Sequence, residues 1–391
     1  MGVWQDVHLK GKTSMLRSLV WCCLSVITLG AQAAPAVVEE SLSLRIRLGS
    51  RSERLETLVV RPAGPGRFPL ALIVNGSAGQ APSAMHADWL AHLAHDFAHR
   101  GWIAASVVWP GYGRSTGTFD GEAGTCAAPH VVTFLEARAN ELGAALAALR
   151  ARADVDPQIT LGLGVSIGGA AMLALSAHPD KPLSAVINMS GGVYHYRQVG
   201  VAESNCALYQ QDLVENMANF GRKNPTPTLW LYAENDPFFD PAFAQRMWSA
   251  YQSTGGQAAF LALPAFGESG HTLYKQAANA LTQAPIDAFL RRNRLPAFDD
   301  GALAPLTAAM SAADRGLIRQ YVNTPTEKAL VMSGDTQRPF WHYGARTLDD
   351  ARQQALDGCR QAGDRSCRVL AENLNPVDGW EAALHQAKGR Q

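Results

Sequence analysis

The sequence is poor in charge and has no excess of either sign. Lys and Arg total 34, Asp and Glu total 34, and charged residues make up only 17% of the 391. A surface built to hold nucleic acid carries surplus Lys and Arg, so that class of partner is not expected. The chain offers no Cys-x-x-Cys pair, and its scattered cysteines argue against a structural zinc site. Internal repeats and low-complexity segments are also lacking, which excludes solenoid folds and long disordered tracts. What is present is a 47% hydrophobic share, enough for one large domain with a sizeable core and a smaller one beside it.

The first apolar run, Ser18 to Gly30, is too short to span a bilayer comfortably. Lys10, Lys12 and Arg17 precede it, and the small-residue pattern Ala31-Gln32-Ala33 follows. That layout predicts a secretory signal over residues 1–33, rather than a membrane anchor, and a periplasmic or secreted product cleaved near Ala33. Cleavage there removes those three positive charges and one negative charge (Asp6), leaving a formal charge of −2. Trp21 before Cys22 is too bulky for a lipoprotein cleavage site, so no lipid anchor is expected. Cys22 and Cys23 leave with the signal. Cys126, Cys206, Cys359 and Cys367 remain, an even count that predicts two disulfides in an oxidising compartment. Cys359 and Cys367 lie close together in one small segment and are paired on that ground; Cys126 and Cys206 follow by elimination.

Beyond the signal, apolar runs of strand length alternate with helical patterns. Strands are predicted at Ser41–Arg47, Leu55–Val60, Pro69–Val74, Trp102–Trp109, Ile159–Val165, Ser184–Met189, Pro227–Ala233 and Ala258–Leu263. Helices are predicted at His86–His99, Val131–Arg150, after Ser166, at Pro241–Tyr251 and at Leu273–Arg291. Residues 191–225 read as a long polar excursion. This alternation implies an α/β fold: a mostly parallel twisted sheet with helices on both faces. The expected organisation is a main domain over 34–292, a Pro-containing linker over 293–303, and a small C-terminal α+β segment of unknown role over 304–391. In that segment strands are expected at Ala329–Met332 and Cys367–Ala371, and a helix at Leu348–Gln361.

Chemistry in such sheets sits at the carboxyl ends of the strands. Gly164-Val165-Ser166-Ile167-Gly168 falls at a strand-to-helix junction, where a tight turn would expose the serine and leave no room for side chains two residues either side. The bland alternative is a glycine-rich helix entry. A serine hydroxyl needs a histidine to take its proton, and the histidine needs a carboxylate to orient it. Asp236 follows the strand ending at Ala233, and His271 stands in a Gly- and Ser-containing loop after the next strand. Glu234 is the rival acid but lies closer to the strand's end. Asp240, just before Pro241, fits a helix N-cap better than Asp236 does. The oxyanion of an acyl transfer would take the backbone N–H of Ile167 and a second from the loop Asn75 to Gly79, Ser77 first and Ala78 next.

These residues resemble the α/β-hydrolase superfamily, and within it the dienelactone-hydrolase-like branch of secreted bacterial enzymes. The resemblance runs from about Leu42 to Arg291 and rests on NGSAG at Asn75, WPGYGRSTG at Trp109, GVSIG at Gly164, YAENDP at Tyr232 and GESGH at Gly267. It implies the α/β-hydrolase fold and a triad of Ser166, Asp236 and His271 that cleaves a carboxylic ester of a small molecule without cofactor or metal. Dienelactone hydrolases proper carry cysteine in the elbow, so their lactone substrate is not carried over to Ser166. Relatives often have His-Gly where this chain has Asn75-Gly76. Amide or peptide cleavage by the same triad, and an inactive hydrolase fold serving as a binding module, are the alternatives. Oligomeric state is not legible.

Two further groups stand out. His86, His92, His95 and His99 suggest a metal site, but Leu90, Leu93, Ala94 and Phe97 mark the buried helix face, so most of these histidines are expected toward solvent. Trp109, Tyr112, Tyr194, His195 and Tyr196 lie on loops that would either border a substrate pocket or fill space beneath the excursion. A Cys126–Cys206 bridge would pin that excursion as a lid to the segment after Arg114.

Overall fold

The computed structural model describes residues 36–388, apart from 80, 120–122, 181, 199–200, 204–205, 223 and 300. The expected export signal lies outside the described residues. Two long strands open the chain, β1 (Val37–Leu48) and β2 (Arg51–Pro62), paired antiparallel from Val37↔Pro62 to Leu48↔Arg51. The alternation then follows: β3 (Phe68–Val74), α1 (Ala91–His99), β4 (Ile103–Val107), α2 (Val131–Arg150), β5 (Val155–Val165), α3 (Ile167–Ser176) and β6 (Ala185–Met189). The excursion holds a small hairpin, β7 (His195–Gln198) with β8 (Val201–Glu203), and a helix, α4 (Ala207–Gly221). The main fold resumes with β9 (Thr228–Ala233), α5 (Pro241–Ser253), β10 (Ala258–Leu263) and α6 (Asn279–Arg292).

Eight of these strands form one sheet in the order β1-β2-β4-β3-β5-β6-β9-β10. From β4 through β10 every neighbour is parallel; β2 alone runs against the rest, antiparallel to both β1 and β4. The central strands are apolar almost throughout, and Leu70, Ile73, Ile103, Leu161, Val186 and Trp230 are wholly buried, as a sheet covered on both faces requires. Helices α2, α3, α4 and α5 pack on one another in one layer. In the other, α1 meets α6 through Asn279 Nδ2, which donates to Asp96 Oδ2 at 2.7 Å, and through the buried Arg100–Asp287 ion pair. No helix among the described residues is long and apolar enough to cross a membrane.

The register sets up the site. Val74, the last residue of β3, pairs with Gly164, which in turn pairs with Asn188. Three carboxyl ends are therefore level, and the Asn75 loop arrives beside Ser166.

The segment expected as a linker is packed. Trp102 Nε1 donates to the Pro296 carbonyl at 2.9 Å, and the Arg100 guanidinium lies 3.9 Å over the Phe298 ring. Beyond it come α7 (Ala304–Ala309), α8 (Asp314–Val322), β11 (Ala329–Ser333), β12 (Pro339–His342), α9 (Leu348–Gln361), β13 (Cys367–Glu372), β14 (Asn375–Pro376) and α10 (Trp380–Lys388). The strands form an antiparallel sheet, β12-β11-β13-β14. Alternation along β11 sends Leu330 and Met332 into one apolar cluster with Leu306, Ile318 and Tyr321, and Ala329 and Val331 into another under α9. Both expected cysteine pairs are joined, Cys126 with Cys206 and Cys359 with Cys367. The first ties the start of α4 to the segment ahead of α2; the second ties α9 to β13.

Candidate active site

Ser166 sits between β5 and α3 at φ 54°, a left-handed conformation costing about 1–3 kcal/mol in a non-glycine residue. Its neighbours explain why the turn needs glycines. A Cβ on Gly164 would overlap the Gly168 carbonyl, and one on Gly168 would stand 2.6 Å from the Asn75 carbonyl oxygen. The Ser166 N–H donates to the Met189 carbonyl, and its own carbonyl accepts from Gly169 and Gly192. Backbone bonds thus hold the serine in place while its hydroxyl meets the imidazole of His271.

His271 is carried by a short 3-10 turn, Gly270–Thr272, not by the start of a helix. The helix expected from Leu273 begins only at Asn279, because residues 270–278 turn tightly to bring the imidazole over the sheet. His271 Nε2 lies 3.0 Å from Ser166 Oγ, and its Nδ1 lies 3.0 Å from Asp236 Oδ2. The Asp236 side chain is fully buried; its other oxygen accepts from the backbone N–H of Phe238 and Phe239. Those two bonds fix the carboxylate without neutralising it. Glu234, the rival, is exposed at the surface, and Asp240 caps α5 by accepting from Ala242 and Phe243.

Asn235 was not singled out in the sequence, yet it laces the acid loop to the histidine loop. Its Oδ1 accepts from Phe266 N–H, its Nδ2 donates to the Phe266 and Gly267 carbonyls, and its own carbonyl accepts from Gly270 N–H. Phe238 and Phe239 were likewise missed. Their rings lie 4.7 and 5.7 Å from the imidazole, and Tyr194 stacks on Phe238 at 4.2 Å. The signal was the Pro-Phe-Phe directly after Asp236. Beneath them the buried Tyr232 hydroxyl donates to the Gly191 carbonyl and accepts from Asn188 Nδ2, and burial pushes that phenol's pKa far up, so it stays a donor.

Gly76 comes so close to Ser166 that a Cβ would stand 2.7 Å from the serine's own. Ser77 and Ala78 follow, half-buried. Among the described residues, neither the Ile167 nor the Ser77 backbone N–H donates to a backbone carbonyl, so both remain free of the main-chain ladder. Among the loop aromatics whose side chains are described, Tyr194 stands beside His271, at 6.2 Å. Trp109 and Tyr112 are buried core residues: Trp109 Nε1 donates to the Asn75 carbonyl at 3.0 Å, and both rings pack against Phe119. Trp109, two residues past β4, thereby supports the Asn75 loop. The side chains of His195 and Tyr196 lie outside the described residues.

The histidine expectation also needs correction. None of His86, His92, His95 and His99 is exposed. His86 bonds Glu56, His92 the Tyr274 carbonyl, and His95 and His99 both meet Glu327 of the C-terminal segment. His95 and His99 are covered by chain some 230 residues away, His92 by the Tyr274 carbonyl, and His86 by Glu56 of β2.

A single covered sheet of this order, with a serine on the β5–α3 turn and a histidine arriving from after β10, is the arrangement of the α/β-hydrolase fold. A family model described as TAP-like protein, one of the α/β-hydrolase models, matches residues 194–302. No curated protein matches the chain. Among solved structures, the esterase Pf2001 of Pyrococcus furiosus is 12% identical, with 65% of this chain and 90% of that one covered at a TM-score of 0.46. The Thermus thermophilus protein TT1662 is 19% identical, with 66% and 98% covered at 0.44. A dienelactone hydrolase-like promiscuous phosphotriesterase from metagenomic libraries is 18% identical, with 59% and 82% covered at 0.39.

Proposed function

We propose that this chain is an exported serine hydrolase that cleaves carboxylic esters of small molecules through an acyl-enzyme on Ser166. His271 Nε2 takes the hydroxyl proton as Oγ attacks the ester carbonyl carbon, and Asp236 holds the imidazole in the tautomer that leaves Nε2 free to accept. The backbone N–H groups of Ile167 and Ser77 receive the tetrahedral oxyanion, in a site where fixed donors act at low dielectric. The proton on His271 passes to the leaving alkoxide. Water then repeats the sequence on the acyl-enzyme. No step requires a cofactor. Export is supported by the signal-like residues 1–33 and by two disulfides, which persist in oxidising compartments.

One observation carries the reading: hydroxyl, imidazole and carboxylate stand in a single line, 3.0 Å from Ser166 Oγ to His271 Nε2 and 3.0 Å from His271 Nδ1 to Asp236 Oδ2. A fluorophosphonate should label the intact protein and leave Ser166→Ala unlabelled. Absence of label on the intact protein would make the chain a binding module instead. Turnover of matched aryl esters and anilides then separates esterase from amidase: faster anilide cleavage would replace the ester reading with an amide one. A series of graded acyl length defines the acyl preference.

A further inference from the structure

Helix α1 presents His95 and His99 one turn apart, and Glu327 closes over both from the far end of the chain. His95 Nδ1 lies 3.0 Å and His99 Nε2 2.7 Å from the same oxygen, Glu327 Oε1. The three ligating atoms all fall within 4.8 Å of one another. Two imidazoles at i and i+4 with one carboxylate make a nitrogen-oxygen donor set suited to zinc and its neighbours. We propose that His95, His99 and Glu327 form a binding site for a zinc-class divalent cation, which ties the C-terminal segment to α1.

Three features go beyond the cluster itself. Glu39 Oε2 lies 3.0 Å from His95 Nε2, so this imidazole can give Nδ1 to an ion while its other N–H donates to a carboxylate. That outer partner fixes the ring and raises its basicity. Glu327 is also held in place from both sides. Thr326 donates twice to the buried Asp96, Lys328 N–H donates to Asn373 Oδ1, and the Lys328 ammonium donates to the carbonyls of Tyr321, Val322 and Thr324. Glu327 itself adopts φ 54°, which a residue with a side chain keeps only when its surroundings dictate it. Finally, the side chains are nearly dry, at 3% exposure for His99, 6% for Glu327 and 12% for His95, yet a cavity of about 570 Å³ opens onto them, with Val37 and Arg346 in its wall. The cavity gives an ion its route and leaves room for water as a fourth ligand.

Without the ion, His95 faces a carboxylate at each ring nitrogen, Glu327 on Nδ1 and Glu39 on Nε2. The cation replaces the Nδ1 proton, which leaves to solvent, while the Nε2 proton stays on the Glu39 side. His99 Nδ1 is buried with no hydrogen-bond partner among the described residues. The site should therefore bind about 10–100-fold more weakly than one with both imidazoles supported.

The full chain, dialysed against chelator, is titrated with Co²⁺ and then with Zn²⁺. One equivalent of Co²⁺ should give the visible bands of a four-coordinate nitrogen-oxygen site, and Zn²⁺ should displace it. Glu327→Gln and His99→Gln should each weaken binding by about 100-fold or more. X-ray absorption of the zinc-loaded intact chain, which needs no variant to fold, should report two imidazoles with oxygen completing the shell. Absence of a Co²⁺ spectrum, a different donor set, or stoichiometric binding that survives in both variants would overturn the assignment.

Discussion

His271 and His95 each stand between two oxygen partners at matching distances. His271 has Asp236 on Nδ1 and Ser166 on Nε2, both at 3.0 Å; His95 has Glu327 on Nδ1 and Glu39 on Nε2, both at 3.0 Å. The second partner decides what each ring can do. Two carboxylates ask for a proton on each nitrogen: burial pulls the His95 pKa down, but bonds to Glu327 and Glu39 more than reverse it and leave it above the ordinary histidine value. A ring held that way gives up a proton less readily than a free imidazole. A hydroxyl can donate as well as accept, so Ser166 makes no such demand on His271 Nε2. The same spacing joins two carboxylates through one ring, and a carboxylate to a hydroxyl through the other.

The strongest way to break this comparison is to remove the hydroxyl or its base. Ser166→Ala should lower ester turnover by about 10⁶, and His271→Gln by a similar factor, because members of such a unit fail together. Asp236→Asn should cost about 10⁴ by presenting the wrong tautomer, while Glu234→Gln leaves turnover unchanged. Steady-state kinetics on an aryl ester checks all four, and equal losses in the two acid variants would undo the assignment of the orienting carboxylate. The largest stability effect should come from the ion pair between α1 and α6. The Arg100 and Asp287 side chains are 2% and 3% exposed, so Arg100→Met strands a buried carboxylate at about 3–5 kcal/mol. Arg100→Met with Asp287→Leu should recover most of that in urea unfolding.

Much of this was legible in sequence, for local reasons. The strands of the main sheet read as apolar runs, α2 was located at its observed bounds, and the elbow is a five-residue pattern whose glycines have steric causes within the same turn. The Asp236 and His271 loops were legible because each directly follows a strand. What failed was what depends on distant chain. The histidines of α1 read as solvent-facing from α1's own periodicity, and nothing local announces that Glu327 covers His95 and His99 or that the Tyr274 carbonyl covers His92. For Trp109 and Tyr112 the sequence leaves pocket lining and packing open, because the choice depends on Phe119, against which both rings pack, and on the Asn75 carbonyl that Trp109 reaches. Helix α4 was lost for another reason. Tyr209, Leu213, Met217 and Phe220 recur at helical spacing on its buried side, but the Gln, Asp, Glu and Asn between them made the stretch read as a polar loop.

The smallest test sharpens the contrast within a few residues. Asp236 and Asp240 make the same local motif, each accepting two backbone N–H bonds through Oδ1 from residues two and three positions on. They differ in the remaining oxygen. Asp236 is buried and turns Oδ2 to His271, whereas Asp240 is exposed at the mouth of α5. If the shared motif were all that mattered, the two would be interchangeable. Asp240→Ala should instead cost about 1 kcal/mol of stability, the ordinary loss of an N-cap, with ester turnover within about twofold of the parent. Measured beside Asp236→Asn, which keeps the side chain's shape and forfeits turnover, it separates a carboxylate that holds a helix from one that also holds an imidazole. A large loss of turnover in Asp240→Ala would mean that the start of α5 positions the acid loop, and the distinction between the two aspartates would fall.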